Sequence, residues 1–242
     1  MRILQNILAI TAMFFLIIAA LLTSFQVAIY GDPNYGFYES LYEKYEVTDS
    51  LRMEMTDVMK VTDYMMAYLI GEEEELSVVT DVDGREQDFF NEQDRLHMAD
   101  VKHLFLGGLK LRNMLLILAG VIAAGLFVWR RNIRELLTKA YKHAAAVFAV
   151  AVVVLGIGFM ADFTTCFTIF HEIFFTNDLW LFDPATDYMI RMLPEGFFFS
   201  MVFRILQYFI LSQILISAVL LVWDRAAKKQ AGPKKQAGTD HS

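Results

Sequence analysis

Polar and apolar positions divide the chain into four long uncharged runs separated by polar stretches. Residues 7–29, 144–161 and 205–223 carry no charged side chain, and neither does the shorter run 114–129. A helix needs about 20 apolar residues to cross the hydrocarbon core of a bilayer, so each run predicts a span. The second run is short, and Asn113 with a snorkelling Arg112 extends it at one end. The pattern therefore predicts spans at 7–29, 113–129, 144–161 and 205–223. Between and after them come a long segment 30–112, a loop 130–143, a segment 162–204 and a tail 224–242. The first run is longer than the apolar core of a secretory signal and is expected to remain as an anchor.

The long segment has a pattern of its own. Leu51, Met55, Val58, Thr62, Met65 and Leu69 recur at helical spacing, with Asp49 or Ser50 placed as an N-cap and Gly71 just past the end. The Met-rich stripe is expected to pack against a neighbouring element. After the acidic turn 72–75, residues 76–82 read as a strand and Asp83-Gly84 as a tight hairpin turn. Asn91 followed by Asp94 marks a second helix start, continued by Leu96, Val101, Leu104 and Phe105. At about 1.5 Å per residue, a straight helix would lift His97 about 25 Å above Met114. A bend at Gly107-Gly108 is expected instead, laying an interfacial helix along the membrane surface. After Asp162 the apolar run resumes as 163–175, broken by His171 and Glu172, and is expected to dip into the interface with Trp180 as an anchor. The predicted architecture is a four-helix transmembrane bundle with a small extracytoplasmic α/β cap.

Composition agrees with a membrane protein: 56% of the 242 residues are apolar and the mean hydropathy is +0.41. Charge sets the expected orientation. Arg130, Arg131, Arg134, Lys139 and Lys142 follow the second span, and Arg225, Lys228, Lys229, Lys234 and Lys235 follow the fourth. Lys and Arg in short loops favour the cytoplasmic side, so both termini are expected there. Residues 30–112 hold 19 acidic against 8 basic side chains and are expected on the outer face. Such acidity argues against nucleic-acid binding. A single cysteine, Cys166, excludes an internal disulfide. The polar, cationic tail is expected to be disordered.

Two histidines stand out as candidates for chemistry. His97 has Asp94 and Asp100 three residues to either side, where a carboxylate can reach an imidazole and fix its tautomer. The bland alternative is a helix with scattered surface polar groups. His171 lies in an otherwise apolar stretch, where an ionisable group needs a partner or a purpose. His103 falls on a different helix face from His97, His143 opens the third span, and His241 is in the tail. The run from His171-Glu172 to Phe175 lacks the second histidine of a zinc-protease motif, so no metal is expected. No G-x-S-x-G elbow is present and Cys166 has no activating neighbours in sequence, which leaves no evident covalent nucleophile.

Two stretches together are distinctive: residues 89–105, FFNEQDRLHMADVKHLF, and residues 170–199, FHEIFFTNDLWLFDPATDYMIRMLPEGFFF. Both resemble the signature segments of the lipoprotein intramolecular transacylase family, Lit, bacterial integral membrane proteins with four spans and two functional histidines on the outer face. On the matching positions those histidines fall at His97 and His171. Asp94 departs from the longer Glu expected there.

The resemblance implies migration of the sn-2 acyl chain of a diacylglyceryl lipoprotein onto the α-amino group of its N-terminal cysteine, giving the lyso form. The implied localisation is the bacterial cytoplasmic membrane, with the site at the outer leaflet. The substrate's own amine is the nucleophile, so a base, a proton donor and an oxyanion stabiliser suffice, with no cofactor. The implied roles are His97 as general base, oriented by Asp94 or Asp100, and His171 as oxyanion stabiliser or acid, with exchange of the two left open. Asn177 and Arg191 are secondary candidates for substrate contacts. The expected partners are the diacylglyceryl lipoprotein and membrane lipid. The competing class is a non-catalytic membrane adaptor whose acidic outer loop binds a partner.

Overall fold

A computed structural model of the chain describes residues 1–129 and 132–230, with side chains to Ala226. Arg130, Arg131, Lys234, Lys235 and His241, and with them the expectation for the end of the tail, lie outside the described residues, as do the side chains of Lys228 and Lys229. The elements in chain order are α1 (Arg2–Tyr30), α2 (Gly36–Lys44), α3 (Val47–Leu51), α4 (Met55–Ile70), β1 (Val79–Val82) and β2 (Arg85–Asp88). They continue with α5 (Glu92–Trp129), α6 (Ile133–Ala161), α7 (Phe163–Phe174), α8 (Tyr188–Met192) and α9 (Glu195–Gln230).

The helices α1, α5, α6 and α9 are each long and apolar enough to cross a membrane. Their centre is α1, which packs against the other three. Ala9, Ala12 and Ala19 are fully buried on it, and such small residues let helix backbones approach closely where lipid supplies no hydrophobic drive. Only the first half of α6 is enclosed, through Ile133, Leu136, Leu137, Tyr141 and Ala144. Its second half leaves Val147, Val150, Val154, Ile157 and Met160 exposed, as a lipid-facing helix requires.

A cap made of α2, α3, α4 and the β1–β2 hairpin closes one end of the bundle. Its core includes Tyr42, Leu51, Val58, Val61, Phe89 and Phe90, and runs on without a break into Met192, Phe197 and Ile205. The cap is thus seated on α9. Met65 and Met66 are buried in that core, so the Met-rich stripe packs internally. Among the described residues the sheet is a single two-stranded ribbon, pairing Val79 with Asp88 and Val82 with Arg85. The expected α/β cap is therefore a helical layer carrying one hairpin. Asp83 (φ 55°) and Gly84 (φ 74°) are both left-handed, which matches the turn to the strand twist.

Three local expectations differ from what is observed. Arg52 adopts a left-handed conformation that ends α3 at Leu51, so the amphipathic helix starts at Met55 and neither Asp49 nor Ser50 caps it. It ends as expected, with Gly71 at φ 86° and a backbone bond of 3.0 Å from Glu72 N–H to Ala67 O. The strand begins at Val79, not at Leu76. Most consequentially, α5 continues through Gly107 and Gly108 without interruption, so no separate interfacial helix forms. Packing along α1, where Gly108 faces Leu22, overrides the cost of about 1 kcal/mol per helical glycine.

The cap core makes a test possible. Tyr42 and Thr62 are fully buried and their hydroxyls are 2.8 Å apart, while Thr62 also donates to Val58 O at 2.9 Å. Tyr42→Phe therefore leaves Thr62 satisfied and is expected to cost about 1 kcal/mol. Tyr42→Ala opens a cavity and is expected to cost about 3–5 kcal/mol. Thermal unfolding of the detergent-solubilised protein measures both, and equal losses would mean that the ring's volume is not what holds the cap.

Candidate active site

The start of α5 is fixed by a reciprocal pair of bonds. Asn91 Oδ1 accepts from Asp94 N–H at 2.9 Å, and Asp94 Oδ2 accepts from Asn91 N–H at 3.0 Å. One turn on, His97 is buried against α7, which delivers His171. The second helix begins because Asp162 accepts from the Thr165 N–H at 2.9 Å and from its hydroxyl at 2.6 Å. The rings of His97 and His171 lie 6.0 Å apart at 28°, and their residues are only 6% and 7% exposed. Aromatic side chains surround them. Phe175 touches both rings, at 5.1 and 5.5 Å, Phe182 packs on His97 at 5.3 Å, and Phe167 and Trp180 pack on His171 at 4.1 and 4.9 Å.

Three of these rings, Phe175, Trp180 and Phe182, belong to the irregular segment after α7, and α5 holds that segment in place. Gln93 Nε2 donates to the carbonyls of Leu179 and Leu181 at 3.1 and 3.0 Å. Asn177 Nδ2 donates to Asp100 Oδ2 at 2.9 Å, while Asn177 Oδ1 accepts from Leu179 N–H at 3.1 Å. Asn91 Nδ2 reaches Asp187 Oδ1 at 2.6 Å, and Asp187 Oδ2 accepts from Asp183 N–H at 2.6 Å. Thus one face of α5 meets the opposite wall through Gln93, His97 and Asp100, and Asn91 joins them from just before the helix.

Burial sets the protonation of the site, which lies about five turns before the uncharged run starting at Met114 and outside the spanning part of α5. Desolvation, reinforced by the neighbouring His171 and opposed by Asp100, lowers the pKa of His97 to about 4. Desolvation also lowers that of His171, against the opposing pull of the Phe167 carbonyl. Burial raises the Asp94 carboxyl to about 6, helped by Asp187 and opposed by the Asn91 N–H and Arg95. Both histidines are consequently neutral near pH 7. Asp94 Oδ1 and His97 Nδ1 are each buried with no hydrogen-bond partner among the described residues. The Asp94 carboxyl, where a Glu was expected, makes no hydrogen bond to the His97 ring.

The structure brings together His97, His171, Asp94, Asp100 and Asn177. Arg191 is elsewhere: its guanidinium pairs with Asp83 at 3.0 Å and ties α8 to the hairpin turn. His103 is exposed, and exposed His143 lies near the start of α6 with Nδ1 2.7 Å from Lys139 O. Trp180, expected as an interfacial anchor, packs on His171. Phe175, Phe182, Asn91 and Asp187 were not singled out for the site by sequence. Asn91 carried a local signal as a cap, but the role of the others depends on contacts remote in sequence. Among the described residues no group of three His, Cys, Asp or Glu side chains is arranged to hold a metal ion.

Four long apolar helices under a cap, with two facing neutral histidines at their junction, define a multi-pass membrane protein whose site offers proton-transfer groups. The sequence profile of the lipoprotein intramolecular transacylase Lit matches residues 10–198, and the chain belongs to that family of acyltransferases. No curated protein sequence matches it. The in meso structure of the membrane-integral Lit from Bacillus cereus aligns with a TM-score of 0.72 at 18% identity, covering 93% of this chain and 100% of that one. A structure of the same relative with a histidine replaced by alanine gives a TM-score of 0.71 at 18% identity, covering 95% and 96%. The two proteins share a fold.

The opposed shifts of His97 and Asp94 predict a pH signature in stability. His97 falls from 6.5 unfolded to about 4 folded, so its contribution is present above pH 6.5 and is lost as pH falls towards 4. Asp94 rises from 3.8 to about 6, so its contribution is present below pH 3.8 and is lost as pH rises through 6. The two offset each other in the wild type. Asp94→Asn removes one of them, and its melting temperature is expected to fall more than that of the wild type between pH 7 and pH about 4.5. Parallel melting profiles for the two proteins would contradict the burial of these groups.

Proposed function

We propose that the chain moves the sn-2 acyl chain of a diacylglyceryl lipoprotein onto the α-amino group of the lipoprotein's N-terminal cysteine, giving the lyso form. The observation that carries this reading is the pair of buried, neutral histidines 6.0 Å apart inside an aromatic enclosure. The amine nitrogen attacks the ester carbonyl carbon, a C–N bond forms, the sn-2 C–O bond breaks, and the amine's proton ends on the glycerol oxygen. Neither water nor an enzyme nucleophile enters the balance. Holding ester and amine of one molecule together exploits proximity, and the amine, with a reference pKa of about 8, then needs only a local proton acceptor.

The hydrogen bonding favours the exchanged assignment over the one expected from sequence. His171 Nδ1 lies 2.8 Å from the Phe167 carbonyl, which can only accept, so Nδ1 carries the hydrogen and Nε2 keeps its lone pair. That makes His171 the base towards the amine, and then the acid towards the departing oxygen. His97 serves as hydrogen-bond donor to the oxyanion. Asp94 makes no hydrogen bond to the His97 ring, so what supports this role is the placement of His97 6.0 Å from His171 in the same enclosure. Asp100 and Asn177 position the facing wall, and Arg191 holds the hairpin turn through Asp83.

The cap faces outwards in this reading, because Arg134, Lys139 and Lys142 lie near the opposite end of the bundle. The site then lies at the outer leaflet. Exposed Phe170, Ile173 and Phe174 flank His171 and give acyl chains an apolar approach from the bilayer. Structures of the Bacillus cereus relative include replacements of a histidine by alanine and by arginine, which agrees with a central role for histidine.

A reconstituted assay with a diacylated lipopeptide, read by mass spectrometry, tests the reading. His97→Ala and His171→Ala are each expected to lower the rate by about 100-fold or more, and the double variant to lose little beyond either. Exposed His103→Ala is expected to keep most activity. Near-wild-type transfer by both folded single variants would remove the catalytic assignment, and unchanged lipoproteins in cells with and without the protein would point to the adaptor. Chelator treatment is expected to leave the rate unchanged, since the steps need proton transfer and no metal-activated water.

A further inference from the structure

Arg204 is the last charged residue before the uncharged run 205–223 of α9 and therefore stands at the edge of the hydrocarbon layer. Its guanidinium carbon lies over the Phe37 ring, 4.0 Å from the centroid, and 5.8 Å from that of Tyr208. Among the described residues it has no carboxylate partner and no hydrogen bond. A cation–π contact holds a guanidinium over a ring and leaves N–H groups free to donate to a phosphate. Arg204, Phe37, Gln207 and Tyr208 line a groove of about 620 Å³. Tyr208 also lines a second, apolar groove of about 290 Å³ between α1, α5 and α9, with Ala19, Ala20, Val27, Leu116 and Ser212.

The two grooves have a consistent order. Ile205 packs in the same core as Ala28, so Arg204 lies near the cap end of α1, whereas the apolar groove extends along α1 from Val27 down to Leu16. Eleven residues of helix span about 17 Å, on the scale of an acyl chain. A cationic, hydrogen-bonding groove at the membrane edge thus adjoins, across Tyr208, an apolar groove that runs along α1 towards the bilayer centre.

We propose that these grooves bind one anionic membrane phospholipid, its phosphate on Arg204 and one acyl chain along Ala20, Thr23 and Leu116. The occupant is set by charge and by shape. An unpaired guanidinium at that depth calls for an anion, and the adjoining apolar groove calls for an alkyl chain. A diacylglyceryl group lacks the phosphate, so this site is distinct from the one that would take a lipoprotein.

Native mass spectrometry of the detergent-purified full chain, titrated with phosphatidylglycerol and separately with diacylglycerol of the same chains, tests the proposal. The wild type is expected to retain one phosphatidylglycerol and to bind diacylglycerol at least about fivefold more weakly. Arg204→Gln is expected to lose that preference, Arg204→Lys to keep part of it, and Ala20→Phe, which fills the apolar groove but spares the cation, to weaken phosphatidylglycerol binding. Circular dichroism of each variant confirms folding. Equal binding of the two lipids by the wild type, undiminished phosphatidylglycerol binding by folded Arg204→Gln, or a dimer of the chain that Arg204→Gln dissolves would each overturn it.

Discussion

The site depends on a single seam between the first turns of α5 and the segment that follows α7. Gln93 and Asp100 reach across it to the Leu179 and Leu181 carbonyls and to Asn177, and His97 lies between them on the same helix. Without those bonds the segment carrying Phe175, Trp180 and Phe182 would have few fixed points, because it has little regular structure of its own before α8. The reciprocal bonds of Asn91 and Asp94 start the helix at the point that sets the seam in register, and Asn91 extends the clasp to Asp187. Side-chain amides therefore act as crosslinks between segments more than 75 residues apart, and the aromatic rings fill the space the crosslinks define.

Closing the seam removes water, and the protonation states follow from that. Two histidines with ordinary titration would be partly charged at neutral pH and would repel each other across 6.0 Å. Desolvation holds both neutral, which preserves lone pairs able to take a proton from an amine. The cost is visible in Asp94 Oδ1 and His97 Nδ1, buried without hydrogen-bond partners, a condition worth roughly 1–3 kcal/mol for each group. Stability is sacrificed here at the place where the proposed chemistry needs a group free to accept or give a proton.

The bundle was legible because bilayer thickness imposes a length on an uncharged run, and the helices α1, α5, α6 and α9 each contain one. Turn chemistry was legible for the same kind of reason: Gly71, Asp83 and Gly84 take the left-handed backbone that few other residues accept. The bend at Gly107-Gly108 failed because local propensity is worth about 1 kcal/mol per residue and the whole flank of α1 competes with it. In the site, His97 and His171 stood out as ionisable groups in unusual surroundings. Their aromatic enclosure did not, since Phe175, Trp180 and Phe182 have the same composition as any membrane-interface segment until tertiary contacts distinguish them. Arg191 carried a charge that suggested a ligand but spends it on Asp83.

An uninterrupted α5 raises the question of how a bilayer-bound chain reaches a site on its first turns. From His97 to Lys110 and Arg112 the helix rises about 20 Å along its axis, so on that side the polar edge of the membrane stands well below the histidines. The other flank differs. Apolar exposure on α6 continues from Val147 to Met160 and resumes on α7 at Ile169, Phe170, Ile173 and Phe174, level in sequence with His171. Hydrocarbon can therefore climb higher against α6 and α7 than against α5, through tilt of the bundle or local thickening of lipid, each at a modest cost per ångström. In the proposed reaction this asymmetry divides the substrate: acyl chains stay against α6 and α7, while the ester and the amine, which are polar and must react without water, enter between α7 and the start of α5. A helix bent at Gly107-Gly108 would have lowered His97 into the interface and removed that division. The continuous helix instead holds one histidine rigidly from the polar side, and α7 brings the other up from the apolar side.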